Sequence, residues 1–204
     1  MHQSHFIWYR IATALLIAGL FTLSGTAAAG QRLVLADGDG AAMLVFETDR
    51  GGVSVRGPGG QPLLLGEEAG TDERDYRLPD GSALGSARGD GERFKLKRPD
   101  GALLWKVKRD GDRIKVSDND QNADAAILRR RGAHKWELER DGESLGKIKQ
   151  YPDTGKIKIK DYRNVTRHEI IDGPFTPAPL VLLLDPIPRD QAYAVLAEIW
   201  LRGW

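Results

Sequence analysis

The chain has 204 residues, no cysteine, and 30 Lys+Arg against 29 Asp+Glu, a formal net charge of +1. The missing cysteines exclude a disulfide scaffold and thiol catalysis, so stability must come from packing. The near-zero net charge removes the bulk electrostatic argument for a nucleic-acid partner, and none is expected.

Met1 to Ala29 contains no acid, one strong cation at Arg10, and an apolar run from Ile11 to Leu23 interrupted only by Thr13, Gly19 and Thr22. That run is short for a membrane span and has the length of a signal-peptide h-region. Small residues follow it, and Ala27 and Ala29 form an A-x-A site, so cleavage is expected at Ala29-Gly30. Residues 1–29 are therefore read as a signal peptide without a twin-arginine pair, and the mature protein as periplasmic or secreted. The alternative is an uncleaved anchor or a buried helix. Removal of 29 residues from 204 leaves 175, with 29 Lys+Arg against 29 Asp+Glu. That length is ample for one hydrophobic core and short for two.

Two segments of the mature part read as the same unit. Phe94 to Lys108 and Arg113 to Asp118 form the first, Trp136 to Lys149 and Lys156 to Asp161 the second. In each, apolar and charged residues alternate, the period-2 pattern of half-buried strands, and Asp-Gly pairs stand where the chain reverses. Leu96 to Leu138 is 42 residues, Gly101 to Gly142 is 41, Val107 to Ile148 is 41 and Val116 to Ile159 is 43. A fainter copy, Val53 to Leu65, sits 41 residues upstream, aligning Pro58 with Pro99 and Leu64 with Trp105. Three such copies are below the about four to eight blades of a propeller, so one closed antiparallel barrel is expected.

Beyond Asp161 the pattern changes. Leu180-Val-Leu-Leu-Leu184 is wholly apolar and bracketed by prolines, and it fits either a buried strand or a short apolar helix. Arg189 to Arg202 places Ala192, Val195, Leu196 and Ile199 at helical spacing after Pro188 and before Gly203, which predicts an amphipathic helix. The expected organisation is a β-barrel domain over 30–185 enclosing the apolar segment 180–184, then a C-terminal amphipathic helix over 186–204.

Phe94 to Val107, Arg113 to Asp120, Leu145 to Lys149 and the run Leu180 to Leu184 together resemble the tubby-like C-terminal superfamily, which includes LURP-one-related proteins and phospholipid scramblases. The resemblance covers residues 31–185. It implies an antiparallel barrel of about twelve strands around one hydrophobic C-terminal helix, assigned to Leu180 to Leu184. The chain departs from scramblases in having no cysteine to modify and no second span. Tubby proteins read phosphoinositides, which are not expected outside a bacterial inner membrane.

Charge is unevenly spread. Residues 30–92 hold 6 Lys+Arg and 12 Asp+Glu, residues 93–160 hold 19 and 11, and residues 161–204 hold 4 and 6. Alternation puts Lys95, Lys97, Lys106, Lys108 and Lys115 opposite the apolar face, as one outer lysine face. A two-residue turn at Asp100-Gly101 pairs Lys95 with Lys106 and Arg93 with Lys108. A three-residue turn over Asp141 to Glu143 pairs Trp136 with Ile148 and Glu137 with Lys147, so the second hairpin neutralises itself. The five lysines are the expected ligand-binding residues, for anionic lipid headgroups or another envelope component. A purely solvated, edge-protecting face is the competing reading.

Asp118 to Asp124 alternates oxygen-bearing side chains as a calcium loop does, but has Ala123 and Arg129 where an EF-hand needs glycine and glutamate, so a polar turn is the simpler reading. No metal site and no cofactor are assigned. The mature part has two histidines, His134 and His168, and no nucleophile or nucleotide motif, so no catalytic residue is assigned and a non-enzymatic protein is expected. The alternative function is a structural or protein-interaction module whose partner docks on Tyr193, Trp200 and Trp204.

Overall fold

The computed structural model describes residues 30–204. The signal-peptide expectation therefore lies outside the described residues. The described chain forms fourteen strands: β1 (Arg32–Asp37), β2 (Ala42–Asp49), β3 (Gly52–Arg56), β4 (Pro62–Gly70), β5 (Glu73–Arg77), β6 (Ala83–Gly89), β7 (Arg93–Lys97), β8 (Leu103–Asp110), β9 (Arg113–Ser117), β10 (Ala126–Arg130), β11 (Lys135–Arg140), β12 (Glu143–Gln150), β13 (Ile157–Asp161) and β14 (Thr166–Asp172). A 3₁₀ segment, Ala178–Leu183, and one helix, α1 (Arg189–Leu201), follow.

Each strand pairs with its neighbours in sequence, and β1 closes the sheet on β14 through Leu35↔Ile170 and Asp37↔His168. The expected closed antiparallel barrel is thus observed, with fourteen strands where the resemblance implied about twelve. The repeat explains the count. Each copy is four strands long, β3 to β6, β7 to β10 and β11 to β14, and β1 and β2 complete the ring.

Alternation decides which side of the wall each residue takes. Phe94, Leu96, Trp105, Val107, Ile114 and Val116 point inward and are almost wholly buried, while the lysines between them face out. Both expected hairpin registers hold: Lys95↔Lys106 and Arg93↔Lys108 in one, Trp136↔Ile148 and Glu137↔Lys147 in the other. The turns differ from expectation. The first connection runs from Arg98 to Ala102, closed by the Gly101 N–H on the Arg98 carbonyl at 2.9 Å, and a bulge between Leu96 and Lys97 absorbs the offset. The second is the two-residue turn Asp141-Gly142, both at positive φ (52° and 82°), with its bulge between Leu138 and Glu139.

The lumen corrects two expectations. The enclosed α-helix is α1, not Leu180 to Leu184. Those residues lie in and beside the 3₁₀ segment, which Pro177 and Pro186 flank and Pro179 opens, and they fill the space between α1 and β12 and β13. Nor is α1 an amphipathic helix on the barrel: all nine residues from Ala192 to Trp200 are buried. Ala192, Ala194 and Ala197 let the barrel wall approach on sides where the sequence shows little bulk. Helix, 3₁₀ segment and wall share one hydrophobic core, so 186–204 is part of the barrel's interior. The helix ends in a Schellman arrangement, with the Trp204 N–H on the Ile199 carbonyl at 3.2 Å and the Gly203 N–H on the Trp200 carbonyl at 3.0 Å.

Candidate anion-binding face

The five lysines predicted as binding residues lie on one stretch of outer wall, β7 to β9. Cross-strand pairing extends that stretch to β6, because Arg88 stands opposite Lys95. One row across the wall is therefore Arg88, Lys95, Lys106, and the next is Arg93, Lys108, Lys115. Like charges directly opposite in a sheet weaken it slightly, so this grouping is not one that strand pairing favours.

Arg88, Arg93, Lys95 and Lys106 surround a shallow depression of about 340 Å³, floored by Gly89 and Phe94. No carboxylate lines it, and the carboxylates paired with its cations stand at its margin: Glu73 3.9 Å from Arg88, Asp90 3.1 Å from Arg93 and Asp120 2.6 Å from Lys95. Of the predicted residues, Lys95 and Lys106 are brought together there, whereas Lys97, Lys108 and Lys115 stand on the wall around it. Arg88 was missed by sequence reasoning. The signal was present in its alternation with Ala87 and its place just before the turn to Arg93, which puts it across from Lys95.

The acidic loop after β9 folds back onto this face. Asp120 lies 2.6 Å from the Lys95 Nζ and its backbone carbonyl accepts from Lys106. The hydrogen bond from Lys95, with the charges of Lys95, Lys106 and Lys97, holds the Asp120 carboxyl below its ordinary range. Asn119 ties the loop by accepting the Ala123 N–H and donating to the Ala123 carbonyl, both at 2.9 Å. Asp120 is thus engaged with lysines, and among the described residues no three His, Cys, Asp or Glu side chains gather as metal ligands.

Glu137 does not neutralise Lys147 as expected, although the register places it opposite. It binds Arg131 at 3.1 Å and accepts from Ser144 at 3.0 Å instead. The planar guanidinium offers the carboxylate a better-matched partner than a flexible ammonium does.

At the end of the barrel that carries the turn from β6 to β7, Glu198 of α1 is buried and accepts from the Arg74 Nη1 and the Tyr76 hydroxyl, both at 2.8 Å, and from the Arg202 Nε at 3.1 Å. Burial first, and then the Glu198 charge, push the Tyr76 phenol well above its ordinary value. A depression of about 300 Å³ opens there, lined by these charges with Glu68, Asp72 and Glu73. The arginines are turned toward Glu198, so the cluster binds the helix to the wall rather than presenting free cations. The three aromatic residues expected to dock a protein partner are also committed to the interior. Tyr193, Trp200 and Trp204 are 8%, 3% and 5% exposed, Trp200 meets Phe46 edge-on, and the Trp204 Nε1 donates to the Gly91 carbonyl at 2.9 Å. That docking face does not exist in this fold, because the helix carrying it is enclosed.

His134 is exposed with its Nδ1 3.1 Å from the Gln150 Oε1, and His168 sits at the other end of the barrel opposite Asp37. They do not form one site.

Fold and face together define a closed meander β-barrel plugged by its own C-terminal helix, with a basic outer wall. No family model and no curated protein matches the chain. Among solved structures, it is similar to a protein from Arabidopsis thaliana at 12% identity and a TM-score of 0.41, over 84% of this chain and 93% of that one.

Proposed function

We propose that the protein is a non-catalytic binding barrel for anionic lipid headgroups, exported to act at the cell envelope. The observation carrying this reading is the depression where Arg88, Arg93, Lys95 and Lys106 converge, with their carboxylate partners Glu73, Asp90 and Asp120 standing outside its lining. A basic recess set in a wall of further lysines suits a phosphorylated headgroup in a layer of similar charges, since the recess takes one headgroup and the surrounding ammonium groups meet its neighbours. The filled lumen also favours the outer wall as the place where a lipid is met. Membership of the tubby-like superfamily belongs to the same proposal, supported by the barrel's plan of an enclosed C-terminal helix.

Co-sedimentation with vesicles of phosphatidylcholine containing phosphatidylglycerol tests it. The protein is expected to pellet with these vesicles, to release as salt rises, and to ignore pure phosphatidylcholine. Charge reversal at Lys95, Lys97, Lys106 and Lys108 is expected to weaken pelleting strongly. Unchanged binding by that variant would mean that the lysines only keep the wall solvated, and the proposal would fall.

A further inference from the structure

The repeat that built the first lysine face built another. Lys106 and Lys147 are 41 residues apart, Lys108 and Lys149 41, and Lys115 and Lys158 43. The pairing is repeated with them, for Lys108↔Lys115 has its counterpart in Lys149↔Lys158. Where the first copy has Lys106↔Ser117, the second has Lys147↔Lys160. Lys135 extends one row by standing opposite Lys149.

This second ladder keeps most of its charge. With Glu137 drawn away to Arg131, no carboxylate among the described residues lies within ion-pair distance of Lys147, Lys149 or Lys160. Lys158 is paired across the sheet, to Glu169 at 2.9 Å, and Lys135 along its own strand, to Glu137 at 3.7 Å. Beside Lys160, the turn between β13 and β14 exposes Tyr162 (63%) and Val165 (48%), with Arg163 donating to the Tyr162 hydroxyl. Lysines beside an exposed aromatic ring and an exposed aliphatic side chain have the composition of a surface that meets a bilayer interface.

The two faces cannot meet the same plane. Between them, β10, β11 and the loop joining them carry ion-paired side chains, Arg129 with Glu139 at 3.2 Å and Arg131 with Glu137 at 3.1 Å. The centres of the faces, within β6 to β9 and β12 to β13, are five strand positions apart in a ring of fourteen. That is about a third of the circumference, so the two outward directions diverge by more than a right angle. A barrel seated on a surface by one face directs the other away from it.

We propose that β12 and β13 form a second binding face for anionic lipid, through Lys147, Lys149 and Lys160, and that the barrel thereby bridges two lipid surfaces. The inference rests on the reading of the first face as lipid-binding. A convex wall that spreads its cations over neighbouring strands matches an extended anionic surface, whereas a single small anion needs donors that converge on it.

The test uses phosphatidylglycerol-containing vesicles and two readouts, co-sedimentation for binding and light scattering for clustering. The full protein is expected to cluster vesicles, and clustering is expected to fade at high protein concentration as every vesicle becomes coated by singly attached barrels. Combined Lys147→Glu, Lys149→Glu and Lys160→Glu substitution is expected to leave co-sedimentation and cause loss of clustering. The corresponding Lys→Gln variant, which introduces no acid, is expected to do the same. Clustering by these variants at the native level overturns the second face, as does a native protein that pellets without clustering. A native protein that does not pellet overturns the first face and the bridge with it. Displacement of bound vesicles by duplex DNA, with protein–DNA clusters forming instead, overturns the assignment to lipid.

Discussion

At the residue scale, polar groups inside a cysteine-free barrel are retained only where they are paired. Glu198 meets two arginines and a tyrosine, and so fixes where along the lumen α1 stops. Such a buried cluster adds little net stability over an apolar one, but its removal in part is costly because a charge is left without a partner. His168 is the less satisfied case. Its Nδ1 is buried without a hydrogen-bond partner, and burial first, then the charge of Arg189, lower its pKa against the opposing pull of Asp37. Because the folded value lies below the ordinary one, the unfolded chain takes up the proton first. Stability is then fully present above about pH 7 and falls as the pH drops through the ordinary histidine value of about 6.5. Urea unfolding at a series of pH values is expected to show a shallower loss between about pH 7 and 5 for His168→Gln than for the native protein. Equal slopes would mean that His168 does not contribute.

At the element scale, alternation and turn chemistry explain why register was legible while turn length was not. Lys95 had to oppose Lys106 once Phe94 and Leu96 were required inside, because a slip of one residue would turn the apolar set outward. A bulge absorbs whatever the turn adds, so two turns of unexpected length leave the expected pairs intact. Close approach within the lumen is a different matter. A Cβ on Gly146 of β12 would stand 2.4 Å from the Leu183 Cδ1 and 2.5 Å from the Lys160 carbonyl oxygen. Gly146→Val is therefore expected to cost about 1–3 kcal/mol, read as a lower urea midpoint, while the outward-facing neighbour Lys147→Val changes stability by less than about 0.5 kcal/mol.

At the scale of the whole molecule, wall and plug are one cooperative unit. The inward side chains of β2, β5 and β8 meet α1 through Phe46, Tyr76 and Trp105, the last donating to Gln191 at 2.8 Å, and Phe94 of β7 meets Trp204 just beyond the helix. A barrel of this size needs interior side chains to exclude water, so the helix replaces what fewer strands would supply from their own residues. Deletion of Arg189 to Trp204 is expected to abolish cooperative thermal unfolding and expose apolar surface to a dye such as ANS. A truncated chain that still melts sharply would make the helix an accessory. The same closure sets the barrel's outlook on solvent: with helix and wall sharing one core and no edge strand left among the described residues, recognition falls to the wall and the rims.

The order of residues alone determined the strands of the repeated hairpins, their registers and the outward lysines, because a two-residue period is a local property that survives into the fold. It also held the repeat from which both lysine faces descend. Three things were decided only when distant segments met. The choice of α1 as the enclosed helix depends on small alanines packing against a wall that the helix cannot specify by itself. The engagement of Lys95 and Lys106 by Asp120 depends on the loop after β9 folding back across β8. The release of Lys147 depends on Arg131, from a neighbouring loop, reaching Glu137 first.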